Sequence, residues 1–217
     1  MIEDIKNTSE EELKTYFWDS FLSTDTMIFI YTGQGFAVGE ITNLELHTGI
    51  VSPGSALMKY NRQAFNPHYS EVIFKMRFNS EENLLAFFGY EDGMGAISED
   101  MTHSHVGIVV KDGKVYFSSA DGGNQQRTEI VGLDLTKNYE FKIIKTELWV
   151  KELPQVVSYL GLPKVEYAAR EWRKVAENDT YTADDKEHFL KIFIENSTNA
   201  DKYITCNRII YKEVYPD

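Results

Sequence analysis

Along most of this chain apolar and polar positions alternate with a period of two in short runs, a pattern that predicts strands. The surest local feature is a hairpin. It runs His103-Ser104-His105-Val106-Gly107-Ile108-Val109-Val110, turns at Lys111-Asp112-Gly113-Lys114, and returns as Val115-Tyr116-Phe117-Ser118-Ser119-Ala120. Asp-Gly between two β-rich runs marks a tight turn, because these residues tolerate the positive φ that a type I′ turn needs at both central positions. Glu71 to Phe78 puts Val72, Phe74, Met76 and Phe78 on one face and Ile73, Lys75 and Arg77 on the other, so one side enters a core. Leu84 to Tyr90 is apolar on both faces, as a central strand is.

The remaining runs extend this pattern. Ser9 followed by Glu10, Glu11 and Glu12 predicts a capped acidic arm or short helix within residues 1–16. Met27 to Tyr31, Phe36 to Val38 and Leu44 to Leu46 predict short strands between glycine turns. Gly33 and Gly35 do not begin a nucleotide loop, since no helix follows and no third glycine falls in place. Residues 50–70 form a looser connection around an Ala56 to Tyr60 strand, and Glu91 to Thr102 an exposed loop. Gln125 to Ile130, Tyr139 to Thr146, Phe189 to Ile194 and Tyr203 to Val214 are further strands. Residues 147–186 depart from the alternation. There Val165, Ala168, Ala169, Trp172, Val175 and Ala176 fall at helical spacing and predict a short helical insertion around 152–176, with a strand starting at Val165, Tyr167 and Ala169 as the alternative.

A length of 217 residues and a hydrophobic share of 42% suit a single domain, 1–217, with a sizeable core. The 34 acidic against 22 basic residues give a net charge of −12, which disfavours nucleic acid and anionic membrane surfaces as partners. The lone Cys206 excludes an intramolecular disulfide framework and predicts a buried, inert thiol. Met1 to Lys6 lacks the basic start and apolar stretch of a signal peptide, and no segment is apolar enough for membrane insertion. The expectation is synthesis in a cytoplasm without classical secretion, or a leader trimmed away.

Trp18-Asp19-Ser20-Phe21, the Thr32-Gly33-Gln34-Gly35 turn and Leu44-Glu45-Leu46-His47-Thr48-Gly49 begin a wider order of motifs. The Glu71 to Phe78 strand, Phe87-Phe88-Gly89-Tyr90-Glu91-Asp92-Gly93, the Asp112-Gly113 hairpin, Leu133-Asp134-Leu135-Thr136 and Lys191-Ile192-Phe193-Ile194-Glu195-Asn196 continue it. Together they resemble concanavalin A-like lectin/glucanase jelly rolls over nearly the whole chain except 147–186. The resemblance implies an all-β sandwich of two antiparallel sheets, and says little about activity.

The glycosidases of that fold would require a Glu-x-Asp-x-x-Glu strand, and no strand here has that spacing. Glu91-Asp92 and Glu99-Asp100 fall in a loop, as solvated acids of an acidic chain do. The lyases of the fold would require an Arg strand, a Gln-x-His element and a Tyr/Lys strand. Arg127-Thr128-Glu129 and His103-Ser104-His105 echo the first two, while His188-Phe189-Leu190-Lys191 replaces the third. His103 and His105, two apart on a strand, would share a face and suit zinc, with Asp92, Glu99 or another strand supplying a third ligand, although a pair of surface histidines at a strand start needs no metal. Asp121 and Asn124 could hold calcium through oxygen ligands, although the same residues are ordinary turn chemistry. No cofactor is required.

Carbohydrate binding needs less: aromatics for sugar faces and polar side chains for hydroxyls on a curved sheet. If Val106, Ile108, Val110, Val115 and Phe117 face the core, His105, Gly107, Tyr116 and Ser118 face the other side, with Tyr90 and Gln126 nearby as further candidates. The expectation is therefore a lectin-like module that binds a glycan or glycoprotein surface without catalysis. By analogy with such jelly rolls it would serve as a virion or tail-associated attachment protein, with a homo-oligomer or a virion assembly partner. A glycoside hydrolase or polysaccharide lyase, and a purely structural assembly protein, are the alternatives.

Overall fold

In the computed structural model, which describes residues 15–18, 29–33, 35–38, 44–60, 63–93, 101–159, 162–166, 171–178 and 186–214, nearly every alternating run forms a strand. In chain order these are β1 (Thr15–Trp18), β2 (Phe29–Gly33), β3 (Gly35–Val38), β4 (Leu44–His47), β5 (Gly54–Tyr60), β6 (Ser70–Phe78), β7 (Leu84–Glu91), β8 (His105–Lys111), β9 (Lys114–Ala120) and β10 (Gln125–Ile130). They continue with β11 (Tyr139–Ile144), β12 (Glu147–Glu152), β13 (Gln155–Tyr159), β14 (Leu162–Glu166), β15 (Arg173–Glu177), β16 (Phe189–Asn196) and β17 (Tyr203–Glu213). The one helical element among the described residues is a 3-10 turn at Pro67–Tyr69. None of their helices is long and apolar enough to cross a membrane.

Two antiparallel sheets result. One has the order β15-β12-β11-β6-β17-β4-β3, with β1 also paired to β17; the other has the order β10-β9-β8-β7-β16-β5-β2. Their inner faces meet in one apolar cluster, to which β6 contributes Val72, Phe74, Met76 and Phe78 as its alternation demands. Phe88 of the second sheet meets Phe74 and Phe141 of the first edge-on, at centroid distances of 5.6 and 5.1 Å. Such contacts join the layers through the favourable edge-to-face geometry of aromatic rings. All eight residues of β7 are buried: one face enters the core between the sheets, and on the other Leu85 and Phe87 pack with Leu57, Met101, Val109 and Phe193. The turn joining β8 to β9 has φ of 49° at Asp112 and 79° at Gly113, both positive as a type I′ turn requires.

At the β10 and β15 edges Asn178 ties the sheets together. Its Nδ2 donates to the Phe117 carbonyl at 3.2 Å and to Ser119 Oγ at 3.1 Å, its Oδ1 accepts from Thr128 Oγ at 2.7 Å, and its backbone N–H donates to the Thr146 carbonyl at 2.9 Å. Cys206 is fully buried where the β17 register slips against β6, and its thiol donates to the Arg208 carbonyl at 3.8 Å. Burial pushes that thiol up to about 12.

The structure corrects the helix expected around 152–176. β13 and β14 form an antiparallel hairpin with Gln155 opposite Glu166, and β15 pairs with β12. Pro154 and Pro163 cannot donate backbone hydrogen bonds, and Val156, Val157, Val165 and Val175 are β-branched, so among the described residues backbone chemistry overrides the helical spacing of Val165, Val175 and Ala176. Residues 167–170, the acidic arm at 1–14, and Glu99 and Asp100 lie outside the described residues.

Candidate functional site

Side chains in register on adjacent strands share a face, and three rows cross the outer face of the second sheet. They are Gln125, Ala120, His105, Glu91 and Phe189; Arg127, Ser118, Gly107, Gly89, Lys191 and Lys59; and Glu129, Tyr116, Val109, Phe87, Phe193 and Leu57. This face bears His105, Tyr116 and Ser118. Its centre is filled: a Cβ on Gly107 would stand 2.5 Å from the Phe87 ring, and Phe87 and Phe193 are fully buried with Met101 in a second apolar cluster.

His105 has no exposed surface. Its Nδ1 lies 2.8 Å from the His103 carbonyl, which can only accept, so Nδ1 carries the hydrogen. Nε2 therefore accepts from Ser118 Oγ at 2.8 Å. Burial lowers the imidazole to about 4, against the pull of the His103 carbonyl, and His105 is neutral near pH 7. Beside this pair, the Gln125 amide oxygen, turned toward Arg127, accepts from Nε at 3.2 Å and Nη2 at 3.1 Å. Tyr116 and Arg127 are half-buried, while Gln125 and Glu129 are exposed along the β10 edge.

Deeper in the face Lys191 donates to Glu91 and to the Gly93 carbonyl, and both Lys191 and Lys59 approach the Phe189 ring, at 5.7 and 4.7 Å. Desolvation lowers the Lys191 ammonium, and the Glu91 carboxylate opposes that shift. Lys191 is 1% exposed and Glu91 4%, so this ion pair lies beneath the surface.

Two expected members are elsewhere. Tyr90 points into the core between the sheets and hydrogen-bonds Ser70 Oγ at 2.9 Å, its phenol pushed well up by burial. Leu84 to Tyr90 is apolar on both faces, and the charged Glu91 that fixes the parity is the last residue of β7 rather than part of the loop that the sequence predicts. Gln126 pairs with Ser119, one residue off the Ser118 row, and so faces inward from β10. Arg127 and Gln125 take its place on the outer face. The signal for them is the Asp121-Gly122-Gly123-Asn124 turn, which sets Ala120 opposite Gln125 and hence Ser118 opposite Arg127.

The metal candidates do not converge as expected. β8 begins only at His105, so His103 precedes the strand and is not bound by its alternation. His103 Nδ1 lies 3.5 Å from Asp92 Oδ1, and ligand atoms of Glu91, Asp92 and His103 fall within 4.8 Å of one another. Asp92 Oδ1 is buried and accepts no hydrogen bond, but Lys191 neutralises Glu91 and Lys186 holds Asp92 Oδ2 at 2.8 Å. A divalent cation there would have to share those carboxylates with two ammonium groups. Asp121 Oδ1 accepts from the Gly123 and Asn124 amides at 3.0 and 2.8 Å, which lowers its carboxyl below the usual range. The Asp121 and Asn124 positions thus close the β9–β10 turn.

No protein-family model matches the chain, and no curated protein matches it by sequence. Solved structures do match. A legume lectin-like domain from Entamoeba histolytica is similar at a TM-score of 0.57 and 11% identity, over 87% of this chain and 91% of that one. The exoplasmic/lumenal domain of VIP36, in a form bound to Ca2+ and Man3GlcNAc, gives 0.59 and 6%, over 88% and 85%. The CBM2 module of an evolved Dit from Lactobacillus casei BL23 phage J-1 gives 0.54 and 10%, over 94% and 98%. Two facing antiparallel sheets in this order define a β-sandwich. The fold is the concanavalin A-like jelly roll.

Proposed function

We propose that this protein is a lectin-like carbohydrate-binding module that holds a glycan at the β9–β10 edge of the second sheet. One observation carries the reading. Tyr116, Arg127 and Gln125 line an accessible edge, while His105, Glu91 and Lys191, the groups with acid–base chemistry, are sealed beneath it. Tyr116 offers a ring to a sugar face, and Arg127, Gln125 and Glu129 offer donors and acceptors to its hydroxyls. The sugar-bound form of VIP36 and the phage CBM2 module support a glycan partner. The phage module also supports the finer reading of a surface-attachment module on a virion or phage tail.

A glycan array run beside reducing-sugar and unsaturated-uronate assays tests this. Binding without turnover is expected, with affinity falling about tenfold in Tyr116→Ala, the scale of a lost aromatic stacking partner. Turnover that disappears in His105→Ala or Glu91→Gln would overturn the binding-only reading and favour a hydrolase or lyase. Absence of any glycan binding, together with a stable multimer, would favour a structural assembly protein.

A further inference from the structure

The first sheet carries a second patch of aromatic and charged groups on its own outer face. Pairing sets Lys174, Trp149, Lys142, Ile73 and Ile210 in one row across β15, β12, β11, β6 and β17. Lys151, Glu140, Lys75 and Arg208 form the row beside it. Trp172, just before β15, joins them. Lys142 Nζ stands 4.7 Å from the Trp172 ring centroid and 5.3 Å from that of Trp149, and Lys151 Nζ stands 5.5 Å from Trp172. Trp149 Nε1 donates to Glu147 at 2.8 Å, which fixes its ring and holds the Glu147 carboxyl below the usual range. Both indoles and Lys142 are half-buried.

The carboxylates of this patch are already engaged. Glu140 pairs with Lys151 at 3.1 Å and Arg208 at 3.9 Å, and Lys174 lies 3.1 Å from Glu147 and 2.7 Å from Glu177. Lys142 makes no ion pair within 4.0 Å among the described residues, and Glu147, already held by Lys174 and Trp149, attracts it only from farther off. The ring faces attract its ammonium but leave N–H donors for an acceptor.

We propose that this patch is a second saccharide site, selective for anionic sugars. A sugar ring stacks its C–H face on an indole while its carboxylate or sulfate pairs with Lys142. Stacking alone would accept any sugar; the unpaired cation supplies the choice between charged and neutral ones. The local charge agrees. Lys75, Lys142, Lys151, Lys174, Arg208 and Lys212 outnumber Glu71, Glu140, Glu147, Glu171 and Glu177 around the patch, on a chain whose net charge is −12, so the patch is less repulsive to anions than the rest of the surface. The site stands apart from the Tyr116 edge, on the other sheet.

Titration of the whole protein with a galacturonic acid hexamer, a heparin-derived hexasaccharide and a neutral mannose hexamer, followed by tryptophan fluorescence and calorimetry, tests the proposal. Separate responses to the first two distinguish a carboxylate from a sulfate ligand. At least one anionic hexamer is expected to quench the tryptophans, with binding that weakens as salt rises. Lys142→Gln and Trp172→Ala should each weaken it about tenfold, the scale of a charge-assisted contact. Lys142→Gln alters only a half-exposed side chain, so its effect does not depend on refolding. Tyr116→Ala should leave this affinity unchanged, which separates the site from the glycan edge. Lack of response to both anionic hexamers, equal affinity for the neutral one, or unchanged affinity in both patch variants would overturn the proposal. So would a dimer in solution that the two substitutions dissolve, since the patch would then join copies of the chain.

Discussion

His105 uses both ring nitrogens within the protein, one toward the His103 carbonyl and one toward Ser118. Protonation would place a charge in a fully buried ring and remove the acceptor that Ser118 needs. Its folded value of about 4 lies below the unfolded 6.5, so the unfolded chain takes up this proton first as pH falls. The contribution is fully present above the unfolded value and is lost as pH falls toward the folded one. Urea unfolding at pH 7 and pH 5 should therefore show a loss of about 2 kcal/mol from this group alone. His105→Asn should flatten the difference between the two pH values; an equal loss in the variant would show that His105 does not titrate on unfolding. Among the candidate site residues, His105, Tyr116 and Ser118 were legible on one face because the hairpin turn sets their parity. Tyr90 was not, because Glu91, the charged position that marks the outer face of β7, reads in the sequence as the start of the following loop.

At the scale of the element, the β8–β9 hairpin was readable because its signal is local: a two-residue turn between alternating runs. Around 152–176 helical spacing competes with proline and β-branched chemistry, and for the described residues there partners distant in sequence decide the contest. β15, for instance, finds its place by pairing with β12. Two glycines of the hairpin separate conformational strain from crowding. A Cβ at Gly113 meets no atom within 4 Å, so Gly113→Ala costs only the left-handed backbone, about 1 kcal/mol. A Cβ at Gly107 would lie 2.5 Å from the Phe87 ring and 2.7 Å from the Phe88 carbonyl, and Phe87 is fully buried with no room to swing. Gly107→Ala should thus cost about 3 kcal/mol. Chemical denaturation of both variants checks the order; a larger loss at Gly113 would mean that the sheet yields at Gly107.

For the molecule as a whole, the two-layer sandwich was visible in the sequence through β6 and β7, since one-sided and two-sided apolar runs specify a strand with one wet face and a strand covered on both. The tie between the layers was not visible, because Asn178 meets Phe117, Ser119 and Thr128 only after both sheets have formed. Cys206 belongs to the same interior, fully buried and with its thiol raised to about 12. As the only cysteine in the chain, it can time the opening of the fold. A thiolate-seeking reagent in native buffer should label it no faster than the sandwich opens, and in mild urea the labelling free energy should converge on that of global unfolding. Rapid labelling of the native protein would show that β17 parts from β6 in a local motion. Slow labelling would make this single sulfur atom a stopwatch for the cooperative parting of the two sheets.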